Sequence, residues 1–189
     1  MTDSPGPTSE GRPLLKDLVA VPTYRDHPAT QPHDIEGVGP DGEPIRHAIL
    51  GRGGFSLLLF LSSSCHGCIP LWEAAASPER FSLIDGESLI VVTKGPSSEP
   101  AETIRVLSPP QALTVMSDRA FHDYRVHGPP FFVLVDGANQ RVPTEGVAWG
   151  PDHVADHVAR ARLGDGNPDV PRLGGRGLAR GPEEHLGTE

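Results

Sequence analysis

Cysteine is scarce in this sequence, with only two cysteines among 189 residues. Two cysteines cannot supply the several crosslinks that stabilise a small secreted disulfide-rich protein. Aromatic residues are also few, at 5%, while the apolar fraction of 37% suffices for a core of modest size. Length and composition therefore predict one domain with polar extensions rather than two domains.

Clusters of basic residues and long apolar runs are missing as well. The net charge is −9, and the nearest approach to a basic cluster is the pair Arg160 and Arg162. Because binding to nucleic acid phosphates needs clustered cations, we expect no nucleic acid partner. The longest apolar run, Leu57–Leu61, is far shorter than the roughly 18–20 residues of a membrane span. The first residues also lack the basic start and apolar stretch of a signal peptide, so the sequence predicts a cytoplasmic chain without a membrane span.

Proline and glycine, with 21 and 22 residues, concentrate toward the two ends of the chain. This distribution predicts an irregular N-terminal extension at 1–36, a folded domain at 37–164 and a disordered tail at 165–189. An Asp-Gly pair between short segments at 37–50 predicts a hairpin at the start of the domain.

Apolar and amphipathic segments alternate along the domain. Short runs rich in apolar or β-branched residues predict five further strands, at 55–61, 88–94, 112–117, 131–137 and 140–149. Segments with helix formers and early acids predict four helices, at 68–81, 98–108, 118–126 and 150–164. Helical crossovers would make the first three of these strands parallel, and an Asp-Gly turn would make the last two antiparallel. We therefore expect an α/β fold with a mixed sheet flanked by helices on both faces.

Both cysteines lie in one stretch, FSLLLFLSSSCHGCIPLWEAAA, between the first of these strands and the first helix. Cys65 at the start of a helix would have its sulfur near unpaired backbone N–H groups, which favour a thiolate and lower its pKa below the free value of roughly 8.5. Cys68 would be within reach of Cys65 and less exposed. We therefore predict that Cys65 attacks a substrate disulfide and that Cys68 resolves the mixed disulfide. A positive charge on His66 would stabilise the thiolate further.

A second motif lies far along the chain, in YRVHGPPFFVLVDG. Together with FLSSSCHGC followed by a helix, it resembles the thioredoxin superfamily, in particular the TlpA-like and methylamine-utilisation-type (MauD-like) disulfide oxidoreductases of bacteria. The resemblance covers roughly residues 50–163. The residues that match the family's second motif are Tyr124, Val126, Gly128, Pro130 and Asp136.

This resemblance implies a thioredoxin-like fold and assigns roles to the site residues. It implies that Cys65 is the nucleophile, that Cys68 is the resolving residue, and that a cis peptide bond before Pro130 faces the cysteine pair. The residues expected to support the cysteines are His66, Gly67 and Pro130, and those expected to contact substrate are Gly128, Pro129 and Trp72.

The sequence departs from thioredoxin itself near the cysteines. Leu59 stands six positions before Cys65, where thioredoxin has a buried acid, and Ser64 replaces the aromatic residue that usually precedes the first cysteine. The pair between the cysteines is His-Gly rather than Gly-Pro, and Pro129 precedes the cis proline in place of Thr, Val or Ile. Glu73 is the nearest candidate for a substitute base. These departures argue against efficient general reductase activity.

The predicted function is that of a thiol–disulfide oxidoreductase acting on a disulfide or dithiol of a protein or a small molecule, with an unidentified electron donor or acceptor. The alternative is a thioredoxin-like module that binds a partner or delivers a metal, with a redox-sensitive dithiol and no turnover. We expect no cofactor and no bound metal, because a zinc site would need Cys65, Cys68, His122 and His127 to converge. Members of the family that the chain resembles often face the periplasm, so an extracytoplasmic location is the alternative to a cytoplasmic one.

Overall fold

The computed structural model describes residues 30–164. The predicted tail at 165–189 and most of the predicted extension at 1–36 lie outside the described residues. The first strand begins at Ile35, so the sheet starts within the segment that we expected to be irregular. Within residues 30–164 the strands and α-helices, in chain order, are β1 (Ile35–Val38), β2 (Pro44–His47), β3 (Phe55–Phe60), α1 (Ile69–Ala74), β4 (Ser88–Thr93), α2 (Ala101–Leu107), β5 (Leu113–Met116), α3 (Asp118–Asp123), β6 (Phe131–Asp136), β7 (Arg141–Val147) and α4 (Pro151–Arg162).

The seven strands of this region form one mixed sheet in the order β2-β1-β5-β4-β3-β6-β7. Strand β3 pairs parallel with β4, and β4 pairs parallel with β5, as the helical crossovers predicted. Strands β6 and β7 form the predicted antiparallel hairpin, and β6 also pairs antiparallel with β3. The mixed α/β fold expected from the sequence is therefore confirmed. Its topology places the end of β3, which leads to Cys65, in the interior of the sheet.

Alternate residues of β3 are buried in two apolar cores, one on each face of the sheet. Leu57 and Leu59 lie in a core completed by side chains of α1, α2 and α4, whereas Leu58 and Phe60 lie in a core completed by α3. All four side chains are fully buried. Burial of an apolar side chain of this size contributes roughly 1.5–3 kcal/mol. The helices therefore cover both faces, as expected, and the two cores hold β3 in place from both sides.

The β1–β2 hairpin, predicted within 37–50, pairs antiparallel, and β1 also pairs with β5. Side-chain contacts of Tyr124 and Asp34 hold the two ends of the hairpin. The hydroxyl of Tyr124 donates a hydrogen bond to the backbone C=O of His33 and accepts one from the His33 N–H at 3.0 Å. Burial raises the pKa of Tyr124 to about 12. The carboxylate Oδ1 of Asp34 accepts hydrogen bonds from the N–H groups of Ile49 at 2.7 Å and Leu50 at 2.9 Å.

Removal of the Asp34 carboxylate is expected to destabilise the protein by about 1 kcal/mol at neutral pH, because the group accepts two backbone hydrogen bonds but is exposed to solvent. These hydrogen bonds, from Leu50 and Ile49, lower the pKa of Asp34 below its usual value. A lowered pKa means that the carboxylate stabilises the fold above its unfolded-state pKa, and that this contribution is lost as the pH falls through the folded-state pKa. Urea unfolding should therefore show that the free energies of unfolding of wild type and Asp34→Ala differ less and less as the pH falls from 7 through 3. A difference that stays constant over this range would contradict the role of the charge.

The first predicted helix, 68–81, is wrong in its extent. Helix α1 ends at Ala74, and a separate turn of 3-10 helix follows at Pro78–Phe81. Ser77, directly before the proline, lies outside the α conformation (φ −137°, ψ 84°), because a proline ring disfavours that conformation in the residue that precedes it. The other predicted elements agree with the structure to within a few residues at each end. None of the helices in the described region has the length and apolar character needed to span a membrane.

Candidate active site

Cys65 and Cys68 follow the interior strand β3, on the loop that leads into α1. They are joined by a disulfide bond, with their Cα atoms 5.3 Å apart. Cys65 precedes a single turn of 3-10 helix, His66–Cys68, and its C=O accepts a hydrogen bond from the N–H of Cys68 at 3.0 Å. Cys65 is half-buried, whereas Cys68 is fully buried. An incoming disulfide can therefore reach Cys65 before Cys68, which is the order of exposure that the predicted roles require.

The backbone directly after Cys65 supplies local positive charge. Within residues 30–164, neither the N–H of His66 nor that of Gly67 has a hydrogen-bond acceptor. Unpaired N–H groups at the start of a helix carry partial positive charge and favour an anion beside them. Because α1 is short, any stabilisation of a thiolate comes from these neighbouring N–H groups rather than from a long helix. The lowered thiol pKa of Cys65 stays a prediction, and so does the electrostatic role of the exposed His66.

Pro130 lies beside the cysteine pair. The Pro129–Pro130 peptide bond is cis, at the position where the resemblance implied it. A Cβ atom built on Gly67 would lie 3.7 Å from Cγ of Pro130 and 4.0 Å from Sγ of Cys65. The C=O of Pro130 accepts a hydrogen bond from the N–H of Ala148 at 3.1 Å, which anchors this segment just beyond β7. Two segments that are distant in the sequence therefore meet at Gly67.

The residues predicted to contact substrate differ in their exposure. Gly128 is exposed, and a Cβ atom on it would have no other atom within 4 Å. Pro129 is half-buried and lines a cavity of about 460 Å³ together with Cys65. Trp72, by contrast, is only 5% exposed, and its indole N–H donates a hydrogen bond to the C=O of Ser62 at 3.4 Å. Trp72 thus supports the loop before Cys65 from inside the core rather than offering a surface to substrate.

A buried carboxylate lies at this cavity, and sequence reasoning missed it. Leu59 is buried in the apolar core, and Glu73, the predicted substitute base, is exposed to solvent. Glu99, from the loop before α2, is only 6% exposed and lines the cavity that contains Cys65. Its Oε2 accepts hydrogen bonds from the hydroxyl of Ser63 at 2.6 Å and from the N–H of Ser63 at 3.2 Å. Glu99 therefore fixes the loop that carries Cys65. The signal that could have found it is an acid soon after β4, because the carboxyl ends of parallel neighbouring strands meet at one edge of a sheet.

The residues named for the alternative zinc site are not brought together. His122 and His127 line a separate cavity of about 640 Å³, whereas Cys65 lines the smaller cavity beside Pro129. Among residues 30–164, no group of three or more His, Cys, Asp or Glu side chains is arranged to hold a metal ion. The two histidines are therefore not partners of the cysteines in this fold.

Solved structures with a similar fold include thioredoxin-like proteins. The exposed lipoprotein thioredoxin of Streptococcus pneumoniae has 16% identity and a TM-score of 0.54, over 68% of this chain and 99% of its own. A thioredoxin-like protein of Aeropyrum pernix has 17% identity and a TM-score of 0.51, over 68% of this chain and 89% of its own. A secreted disulfide oxidoreductase of Mycobacterium tuberculosis, homologous to the DsbE protein of Escherichia coli, has 15% identity and a TM-score of 0.51, over 66% of this chain and 94% of its own. This chain therefore has a thioredoxin-like fold.

Sequence comparison adds no narrower assignment, since no family model and no curated protein matches the chain. At the identities found, structural likeness establishes the fold, and the finer resemblance to TlpA-like and MauD-like proteins stays a prediction.

Proposed function

We propose that this protein is a thiol–disulfide oxidoreductase that uses Cys65 and Cys68 as its redox pair. The observation that carries the proposal is the difference in exposure between the two bonded cysteines: Cys65 lines an open cavity, and Cys68 is fully buried behind it. The fold supports the proposal, because structures that share it include a thiol:disulfide interchange protein of Chlorobium tepidum. The partner is a disulfide or dithiol of a protein or a small molecule.

The chemistry follows from the two positions. In the reducing direction, the Cys65 thiolate attacks one sulfur of the substrate disulfide, the substrate S–S bond breaks, and the first substrate thiolate leaves. The Cys68 thiolate then attacks Sγ of Cys65, which forms the Cys65–Cys68 disulfide and releases the second substrate thiolate. Two electrons pass from the protein dithiol to the substrate, and the two thiol protons end on the released sulfurs. With a dithiol substrate and the oxidised protein, the same steps run in reverse.

Turnover with a protein disulfide tests the proposal. With dithiothreitol as reductant, the full-length protein should accelerate the reduction of insulin disulfides, and a variant with both Cys65→Ser and Cys68→Ser should not. Equilibration with glutathione gives the reduction potential of the pair and hence the favoured direction. A protein that oxidises and reduces stoichiometrically but accelerates no exchange would fit the binding-module alternative instead.

His66→Gly is expected to lower the reduction potential of the cysteine pair by tens of millivolts, where ~30 mV corresponds to about 1.4 kcal/mol for a two-electron couple. A protonated His66 favours the neighbouring thiolate, and so the reduced form, which its removal would disfavour. His66→Gln keeps a side chain of similar size without the charge and should behave like His66→Gly. If only the glycine variant shifts the potential, backbone freedom rather than charge is responsible.

A further inference from the structure

Glu99 is a buried acid that lines the cavity of Cys65 and is not paired with a cation. It is only 6% exposed, and it forms no ion pair with any cation among residues 30–164. Lys94 lines the same cavity of about 460 Å³, but its side chain is exposed to solvent. Because water and salt screen an exposed charge more than a buried one, Glu99 acts more strongly than Lys94 on a group inside this cavity.

The loop that carries Glu99 is fixed to the scaffold. The N–H of Glu99 donates a hydrogen bond to the C=O of Gly95 at 3.1 Å, and the N–H of Gly95 donates one to Oδ1 of Asp118, also at 3.1 Å. A Cβ atom on Gly95 would lie 2.6 Å from Oδ2 of Asp118, so the loop packs closely against this residue. Since Asp118 is the first residue of α3, the position of Glu99 is set by the start of that helix.

The side chain of Glu99 contacts the segment that leads to Cys65. Its Oε2 accepts hydrogen bonds from the hydroxyl and the N–H of Ser63, at 2.6 Å and 3.2 Å, and Ser63 lies two residues before Cys65. Ser64, between them, lines the cavity together with Cys65 and Glu99. Both hydrogen bonds end on one oxygen, so the neutral amide oxygen of a glutamine could accept them as well. The negative charge of Glu99 is therefore not required to hold Ser63.

A negative charge beside Cys65 affects the two redox states of the pair differently. When the pair is reduced and Cys65 is a thiolate, the carboxylate and the sulfur repel each other across the cavity, which destabilises the thiolate. When Cys65 is joined to Cys68, its sulfur is neutral and this repulsion is absent. The unpaired N–H groups of His66 and Gly67 act in the opposite sense, because they stabilise the thiolate. The charge of Glu99 therefore favours the disulfide over the dithiol.

We propose that Glu99 is a positioning residue that also sets the redox balance of the pair, because its buried charge makes the Cys65–Cys68 dithiol a stronger reductant. This rests on the thiol–disulfide function proposed above and adds a residue that regulates it. The dithiol passes two electrons to the substrate disulfide, its two protons end on the released thiols, and the bond between Cys65 and Cys68 forms. The same step removes the repulsion between Glu99 and the thiolate.

Glu99→Gln tests the effect of the charge, since it keeps an oxygen that can accept the hydrogen bonds of Ser63. Equilibration of the full-length protein with reduced and oxidised glutathione should shift several-fold toward the reduced protein in this variant. In a Cys68→Ser background, the pH at which iodoacetamide labels Cys65 at half its maximal rate should fall. The shift in the glutathione equilibrium should shrink as the pH falls through this midpoint, because a protonated sulfur is not repelled. Glu99→Asp keeps the charge and should stay closer to wild type.

Two further variants separate the charge from the support of the loop. Ser63→Ala removes the hydroxyl donor and keeps the carboxylate, so it should not shift the equilibrium toward the reduced protein. Glu102→Gln is the matched control, because it removes an exposed acid three residues further along the chain that already pairs with Arg105. It should leave both the glutathione equilibrium and the labelling midpoint unchanged.

Each outcome distinguishes the role of Glu99 from the function on which it rests. Equal glutathione equilibria for wild type and Glu99→Gln would overturn the role of the charge and leave the oxidoreductase function intact. A shift that Ser63→Ala reproduces, or one of the same size at every pH, would mean that Glu99 acts only by supporting the loop. A wild-type pair that does not exchange with glutathione would overturn the oxidoreductase function, and the regulation by Glu99 with it.

Discussion

Replacement of Cys65 by serine is expected to abolish turnover, whereas Cys68→Ser should form a mixed disulfide with substrate and fail to release it. The reason is that Cys65 is the accessible sulfur and has unpaired N–H groups beside it, while Cys68 is fully buried. In reduced Cys68→Ser protein, iodoacetamide should label Cys65 rapidly. The pH at which labelling reaches half its maximal rate should lie well below the roughly 8.5 of a free thiol.

The reciprocal variant is the control for this assignment. In Cys65→Ser protein the remaining Cys68 thiol is enclosed by the core, so its labelling should be slow until urea unfolds the chain. Faster labelling of Cys68 than of Cys65 at neutral pH would show that the two roles are reversed.

Gly137→Ala is expected to destabilise the fold by roughly 3 kcal/mol, because a methyl group cannot fit where Gly137 lies. A Cβ atom there would be 2.1 Å from the backbone oxygen of Ile49 and 3.0 Å from that of Arg52. The N–H of Gly51 also donates a hydrogen bond to the C=O of Gly137 at 2.9 Å, so the two backbone segments cannot separate without losing it. The loss in free energy of unfolding can be measured by urea unfolding monitored by circular dichroism.

Gly53→Ala is a matched control for this effect. Gly53 lies in the nearby segment before β3, but a Cβ atom on it would meet nothing within 4 Å, and its backbone is not in the left-handed region. Its substitution should change stability little. Similar losses in Gly53→Ala and Gly137→Ala would contradict the role of the close approach to Ile49, because Gly→Ala at an unstrained position lowers only the entropy of the unfolded chain and does not by itself destabilise the fold.

The sequence predicted the strands well because their signal is local. β3 and β6 are short apolar runs between loops. A strand buried on both faces has such a continuous apolar sequence wherever it lies in the fold. The helix at 68–81 was predicted too long, because helix formers on both sides of Ser77 outweighed the effect of Pro78 on the residue before it. The hairpin was predicted within 37–50, so the start of its first strand, at Ile35, was placed two residues too late, since Ile35 lies in polar, proline-rich sequence.

The same difference between local and distant signals applies to the site. Cys65, Cys68 and Pro130 are marked by sequence motifs, and the structure places Pro130 close to Gly67, between the cysteines. Glu99 carries no motif. Its contact with Ser63 exists because β4 lies beside β3 in the sheet. The sequence of either segment alone does not predict that the two strands are neighbours.

The two outer strands of the sheet bear on how the protein behaves at high concentration. An exposed sheet edge can accept a strand from a second chain and begin aggregation. Strand β2 spans four residues and begins with Pro44, while β7 contains Pro143 next to an irregularity in its pairing with β6. Proline has no N–H for an incoming strand, and short or irregular edges offer few hydrogen bonds in register. Concentrated solutions should therefore resist fibril growth, because neither edge of this sheet presents a template that a second copy can extend.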